Sequence, residues 1–501
     1  MSDDLSAPAG LPKLIRHFID GEFVETSTGA TFESLNPATN RPYAEVARGD
    51  AQDVSKAVAA ARRAFEDGPW PRLANRARAR LLNKIADGIE ARDEQIAQWE
   101  AWDTGLPISQ ARQQAHRAAE NFRFFADVIV AGHEEAFSNS GQLGYVLRKP
   151  IGVAGLITPW NTPFMLETWK TAPAIASGCT AVLKPAEFSP LSSNILMEVM
   201  AQADLPPGAI NCVQGIGEEA GAALVAHPDV SLVSFTGETT TGKMIGAVAA
   251  QQLKGVSMEL GGKSPCIIFA DADIDRAVDG ALFGVFSLNG ERCTAGSRVL
   301  IEQSIYDEFV EAYAARARQI RVGLPTEETT EIGALIHPEH YDRVMSYVRV
   351  GIEEGAKLLA GGKRPEHLPN GNFLEATVFA DVTKSMRIFQ EEIFGPVVCL
   401  TPFRDEAEAI ELANATSYGL AAYIWTSNLR RAHRVAAQVE SGMLWINSHN
   451  VRDLRTPFGG VKSSGIGREG GQRSIDFYTE PHIVHVALSD VQVARFGASL
   501  Q

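Results

Sequence analysis

Long apolar stretches are missing from this sequence. No run reaches eighteen apolar residues, about the length a membrane-spanning helix needs, so no span and no membrane partner is expected. A signal peptide is not expected either. Met1 to Pro12 is acidic and rich in small residues, with no basic segment followed by an apolar one. Together these point to a cytoplasmic protein. Cysteine is scarce: Cys179, Cys212, Cys266, Cys293 and Cys399 are five in 501 residues. An odd number at wide spacing does not suit a disulfide framework. There is no CxxC pair and no HExxH stretch, and the eleven His form no close cluster, so no metal is expected. Positive charge is also short, with 46 Lys and Arg against 61 Asp and Glu and a net charge of −15. That balance argues against unspecific binding to nucleic acid or anionic membrane. It also means that an anionic ligand would need Arg or Lys placed locally.

What is present is an ordinary globular mixture, 45% hydrophobic and 21% charged. The length suffices for two or three domains with a large core. No internal repeat or low-complexity tract interrupts it. Residues 52–132 read as helical, with apolar positions at helical spacing in Val54–Phe65 and Leu81–Trp99. From Gly152 the texture changes. Apolar runs at Val153–Ile157, Ala181–Leu183, Ile210–Val213 and Leu232–Phe235 alternate with helical stretches such as Leu191–Ala203. This alternation predicts an α/β fold, a parallel sheet with helices on both faces. A second α/β pattern starts near Pro265: strand Cys266–Phe269, helix Ile274–Leu288, strand Arg298–Ile301, helix Tyr306–Ile320. Glycine punctuation at Gly459–Gly471 marks a long loop. Pro481–Ala487 alternates weakly and reads as an edge strand, which usually needs a partner.

Among the cysteines, Cys179, Cys266 and Cys399 lie in small or apolar runs and read as core thiols. Cys212, at a strand end, is ambiguous. Cys293 differs. It sits in Asn289-Gly-Glu-Arg-Cys-Thr-Ala-Gly-Ser297, where small and polar neighbours let a ligand approach and Arg292 favours the thiolate. A nucleophilic cysteine serves a hydrolase or a dehydrogenase. His449 is the available partner for a hydrolase, though in no hydrolase-like context. Glu259, beside two glycines in Ser257-Met-Glu-Leu-Gly-Gly-Lys-Ser264, reads as a cleft carboxylate or as a solvated loop residue.

Two loops compete for a nucleotide. Gln214-Gly-Ile-Gly-Glu-Glu-Ala220 fits G-x-G-x-x-A after a strand. Phe235-Thr-Gly-Glu-Thr-Thr-Thr-Gly242 also follows a strand and opens a helix whose free N–H groups can hold a pyrophosphate. The pattern alone does not choose between them.

Seven blocks decide the matter by resemblance: Pro159-Trp-Asn-Thr-Pro163, Lys184-Pro-Ala-Glu187, Phe235-Thr-Gly…Gly242, Met258-Glu-Leu-Gly-Gly-Lys263, Gly290-Glu-Arg-Cys293, Glu392-Ile-Phe-Gly-Pro396 and Pro457-Phe-Gly-Gly-Val-Lys462. In this order and spacing the chain resembles the aldehyde dehydrogenase superfamily from about Phe18 to about His485. The resemblance implies a Rossmann-like NAD-binding domain from 1–131 and 151–264, a catalytic α/β domain at 265–477, and a small β oligomerisation element from 132–150 and 478–501. It implies a homo-oligomer, a tetramer ahead of a dimer. It makes Cys293 the nucleophile, Glu259 the general base and Asn161 the oxyanion donor. NAD is implied as cofactor, favoured over NADP because a carboxylate at Glu187 repels a 2′-phosphate. The implied cofactor residues are Ile157, Thr158, Pro159, Trp160, Lys184, Glu187, Gly217, Gly221, Phe235, Thr236, Gly237, Glu238, Thr241, Leu260, Gly261, Glu392 and Phe394. The Gly237–Gly242 loop then lies beside the pyrophosphate, and Gly215–Ala220 becomes a structural turn. Glu391, next to Glu392, reads as a salt-bridged surface residue.

The segment Asn450-Val-Arg-Asp-Leu-Arg-Thr-Pro-Phe-Gly-Gly460 lies where the family lines its substrate tunnel. Arg452 and Arg455 there suit a carboxylate, unless Asp453 neutralises them. Trp169, Arg292, Thr294 and Phe458 complete the implied substrate set. Ala101–Pro107, Asn289–Arg298 and Val451–Gly471 look most like the 5-carboxymethyl-2-hydroxymuconate semialdehyde dehydrogenases of aromatic degradation, and the Arg-Asp-Leu-Arg-Thr-Pro-Phe stretch also resembles 2-hydroxymuconate semialdehyde dehydrogenases. Both act on acidic aldehydes. Amino- or betaine-type aldehydes, a cysteine hydrolase and a non-enzymatic role are the alternatives.

Overall fold

A computed structural model describes residues 6–132 and 135–497. Residues 1–5, 133–134 and 498–501, which fall in the segments assigned above to the first unit and the oligomerisation element, lie outside the described residues.

Two large sheets dominate. In the first, the strands Val153–Ile157, Thr180–Lys184, Ile210–Cys212, Leu232–Thr236 and Gly255–Glu259 run parallel. Their near-continuous apolar runs suit a sheet covered on both faces. Leu232–Thr236 neighbours Val153–Ile157 on one side and Thr180–Lys184 neighbours it on the other, so the winding direction reverses between the strands at 153 and 232. Ligand crevices of doubly wound sheets open at such a reversal, beyond the carboxyl ends of the strands. The helices Ala51–Glu66, Pro163–Ala176 and Pro190–Gln202 pack around this sheet. The first is started by Asp50, whose side chain accepts from the Asp53 N–H at 3.1 Å.

The second sheet contains Pro265–Ile268, Arg298–Glu302, Thr377–Ala380, Val397–Phe403, Ala421–Trp425 and Met443–Ile446, all parallel, with Lys357–Ala360 antiparallel at one edge. A third, antiparallel sheet joins Ala136–Ser138, Gln142–Pro150 and Thr479–Ala487. The edge strand expected near 481–487 is therefore present, and Phe137 and Ile483 on this sheet are exposed. Among the described residues no helix is long and apolar enough to cross a membrane.

Several boundaries differ from the sequence reading, among them the end of the helix from Tyr306, at Ala317 instead of Ile320. The helical run 81–99 is divided: Asn75–Glu90 ends and Asp93–Thr104 begins anew. Asp93 and Glu94 in the new first turn favour a helix start, and apolar periodicity does not register the break. The helix from Ile274 ends at Phe286, because Leu288 and Asn289 turn left-handed at φ 55° and 57°. Finally, Gly465–Ile466, placed above with the second unit, pairs with Met258–Glu259 at the edge of the first sheet.

Candidate active site

A cavity of about 410 Å³ opens between the two large sheets. Cys293 enters it from the loop between the helix Ile274–Phe286 and the strand Arg298–Glu302, and is half-buried. Asn161 arrives just beyond the carboxyl end of Val153–Ile157, and Glu259 ends its own strand. Of the other residues singled out by sequence, Pro159, Trp160, Thr236, Gly237, Glu238, Leu260, Gly261, Glu392, Phe394, Trp169, Arg292, Thr294, Arg452 and Phe458 line the same cavity.

Others gather elsewhere. Lys184 and Glu187 form an ion pair at 2.8 Å, and the Gly217 N–H points at Glu187 from 3.4 Å. Gly221 lies against the Lys184 stem. The Gly217–Gly221 turn thus stands beside the pair, while Ile157, Thr158 and Phe235 are buried at the strand ends and Thr241 sits in the first turn of Thr239–Gln251. Arg455 is not brought to the cavity. Its side chain is 81% exposed and is held at 2.6 Å by Asp453, the neutralising partner considered above. Glu391 pairs with Arg387 at 2.8 Å, as a surface residue should.

The electrostatics divide the cavity. One Asn161 N–H donates to the Glu291 carbonyl at 2.8 Å, which fixes the amide two residues from Cys293. Burial pushes the Cys293 thiol up to about 12, Glu392 and Glu259 push the same way, and Arg292 pulls back. Burial raises the Glu259 carboxyl well above the usual range, with nearby Glu469 adding to it. Neither Glu259 oxygen has a hydrogen-bond partner. Glu469 is fully engaged by contrast: it accepts from Trp169 Nε1 at 2.7 Å, Lys170 Nζ at 2.8 Å and Ser234 Oγ at 3.0 Å.

The cationic wall is formed by Arg452 and Arg117. The Arg452 guanidinium is sandwiched, 4.0 Å from the Trp169 ring centre and 4.4 Å from that of Phe458. Burial and Arg117 pull it down to about 9, still a cation at neutral pH, and its Nη2 has no hydrogen-bond partner. Arg117 donates to Gln114 at 3.0 Å and faces the cavity from the helix Ile108–Ala131.

The far end fits a dinucleotide. Thr158 Oγ1 and Thr236 Oγ1 are buried at the reversal point without partners. Glu392 accepts the Gly262 N–H at 2.8 Å, and burial lifts its carboxyl to about 7. Phe394, left-handed at φ 61°, meets Trp160 edge-on at 5.3 Å.

His449, the partner a hydrolase would need, is held away from this arrangement. Its ring stacks on Tyr423 at 3.5 Å, is not among the cavity-lining residues, and burial drives it down to about 3.

Sequence reasoning missed Arg117, Lys170 and Glu469. Glu469 carried the signal that marked Glu259, a lone carboxylate beside two glycines. Gln114 and Arg117, three apart beside the alanine stripe of one helix, were legible as a polar interruption of a buried face.

The chain is similar to known proteins over most of its length. Residues 23–484 match the model of the aldehyde dehydrogenase family. The chain is 51% identical over 466 residues to the 5-carboxymethyl-2-hydroxymuconate semialdehyde dehydrogenase of Escherichia coli, covering 92% of this chain and 98% of that one. It is 45% identical over 478 residues to the 2-hydroxymuconic semialdehyde dehydrogenase of Pseudomonas sp. (strain CF600), covering 93% and 98%. Among solved structures, HpcC from Thermus thermophilus superposes with a TM-score of 0.95 at 51% identity, covering 97% of this chain and 95% of that one. An NAD+ complex of an aldehyde dehydrogenase from Bacillus cereus gives 0.93 at 44% identity, covering 95% and 97%. The chain belongs to the aldehyde dehydrogenase family.

Proposed function

We propose that this chain oxidises an acidic semialdehyde of the hydroxymuconate type to the acid, with NAD, through a thioester on Cys293. One observation carries the reading: Cys293, Asn161 and Glu259 share a cavity whose wall holds the cations Arg452 and Arg117.

Glu259, in the same cavity, takes the proton of the Cys293 thiol and releases it to solvent, and the thiolate attacks the aldehyde carbon so that a C–S bond forms. The carbonyl oxygen becomes an oxyanion, met by the second N–H of Asn161 and the backbone N–H of Cys293. NAD, when bound, supplies the hydride acceptor whose reduction turns the cysteine adduct into a thioester. Glu259 then takes a proton from the water that hydrolyses the thioester, and its raised carboxyl suits that task. Lys184 and Glu187 would hold the adenosine ribose, the helix start at Glu238–Thr239 the pyrophosphate, and Glu392 with Phe394 and Trp160 the nicotinamide end.

Acidic specificity rests on Arg452 and Arg117. A guanidinium with an unpartnered buried N–H binds a carboxylate well and opposes a cationic aldehyde. A cationic, betaine-type aldehyde does not suit this wall. The units 1–131 with 151–264 and 265–477 serve cofactor and chemistry respectively, and the sheet of 136–138, 142–150 and 479–487 serves assembly of a homo-oligomer. The substrate assignment is tested by kcat/KM for acidic against neutral aldehydes in Arg452→Ala and Arg117→Ala. Discrimination should collapse; an unchanged ratio in both variants removes it.

A further inference from the structure

The loop that carries Cys293 has an unusual backbone. Leu288, Asn289 and Gly290 are left-handed in succession, at φ 55°, 57° and 72°. Glycine takes this region freely and asparagine tolerates it, but a leucine there is uncommon. Such a conformation persists only where the surroundings over-determine it.

The surroundings are specific. Asn289 is fully buried, and its amide uses both donors and its acceptor. It donates to the carbonyls of Gly105 and Ala334, each at 3.1 Å, and accepts the Gly333 N–H at 2.7 Å. The Ala334 N–H in turn donates to the Gly105 carbonyl at 3.2 Å. Three chain segments therefore meet at one side chain. They meet closely, because a Cβ on Gly105 would strike the Ala334 carbonyl, one on Gly333 the Gly105 carbonyl, and one on Gly290 the Gly395 backbone. Two residues on, the Glu291 carboxyl accepts the Ile336 N–H at 3.0 Å, while its backbone carbonyl anchors the Asn161 amide at 2.8 Å.

We propose that Asn289 and Glu291 are positioning residues that dock the nucleophile loop onto segment 333–336, and so set Cys293 and the Asn161 amide in register with each other. Neither acts on substrate. Asn289 holds the left-handed turn that aims Cys293, and Glu291 ties the oxyanion donor to the same anchor. The inference rests on the reading of Cys293 as nucleophile.

The test uses the full chain with Asn289→Ala, Glu291→Ala and Glu291→Gln. The second-order rate of Cys293 alkylation by iodoacetamide is followed by mass spectrometry across pH, beside kcat, KM for NAD and the melting temperature. Misplacement of reacting groups by about 1 Å costs on the order of 10²-fold, so Asn289→Ala should lower kcat and the alkylation rate to that extent and leave KM for NAD near the parent value. Glu291→Ala should move the same quantities in the same direction. Glu291→Gln should restore them, since its amide oxygen still accepts the Ile336 N–H. Parent-like alkylation and kcat in Asn289→Ala, or equal losses in Glu291→Gln and Glu291→Ala, would overturn the proposal. So would a drop in melting temperature alone. If Asn289→Ala does not fold, the Glu291 pair decides. Activity surviving in Cys293→Ala would instead overturn the nucleophile reading, and is separable because alkylation needs no aldehyde.

Discussion

The Arg452 guanidinium carbon sits over the Trp169 ring, 4.0 Å from its centre. Trp169 is itself pinned by Glu469 at 2.7 Å, so the cation is held by an indole that cannot turn away. A hydrogen bond to a charged group contributes about 1.5–3 kcal/mol, or roughly 10- to 150-fold. Arg452→Ala should therefore lower kcat/KM for acidic aldehydes by that range and leave neutral ones within a few-fold. Arg452→Lys should recover only part, since a point cation neither stacks nor forks. Initial rates on matched acidic and neutral aldehydes check this.

Arg455 makes the complementary case. Exposed and paired with Asp453, it should be replaceable by Ala with an effect within about 0.5 kcal/mol on stability and no change in substrate preference. Thermal melting and the same aldehyde pair measure both.

Glu259 predicts a pH dependence. It works only when ionised, and burial with Glu469 keeps it protonated to higher pH than an ordinary carboxyl. Thioester hydrolysis should rise with pH through that displaced pKa. Glu259→Gln should lose on the order of 10²–10⁴-fold in turnover and accumulate acyl-enzyme, visible as a mass increase on Cys293. A parent-like pH profile in the variant would remove Glu259 from the step.

A separate group governs stability. Glu100 is buried with neither oxygen partnered, and burial, with Asp103 adding, raises it to about 8. The unfolded chain releases this proton near pH 4, at about the usual Glu value. Between about 4 and about 8 the folded state thus binds more protons, and stability falls as pH rises through that window. Glu100→Gln should lose less melting temperature between pH 6 and pH 8 than the parent. An identical drop would show that Glu100 is not the linked group.

Much of this was readable beforehand, and the exceptions have physical reasons. Apolar runs such as Val153–Ile157 mark parallel strands because both faces are covered, so pattern and burial coincide. Cys293 stood out through its small neighbours and Glu259 through its glycines. Arg452 and Arg455 were equivalent in sequence, three residues apart in one loop. Only folding shows that Asp453 captures the second and that Trp169 and Phe458 enclose the first. The left-handed turn at Leu288 was invisible too, because its cause lies in residues 105 and 333–336, far away in sequence.

The central claim is best tested by NADH absorbance. Purified chain with NAD is offered acidic, neutral and cationic aldehydes, including a hydroxymuconate semialdehyde, with Cys293→Ala as control. The account predicts NADH formation, fastest on the acidic semialdehyde and absent in the variant. Equal rates with Cys293→Ala, or no NADH from any aldehyde, would contradict it.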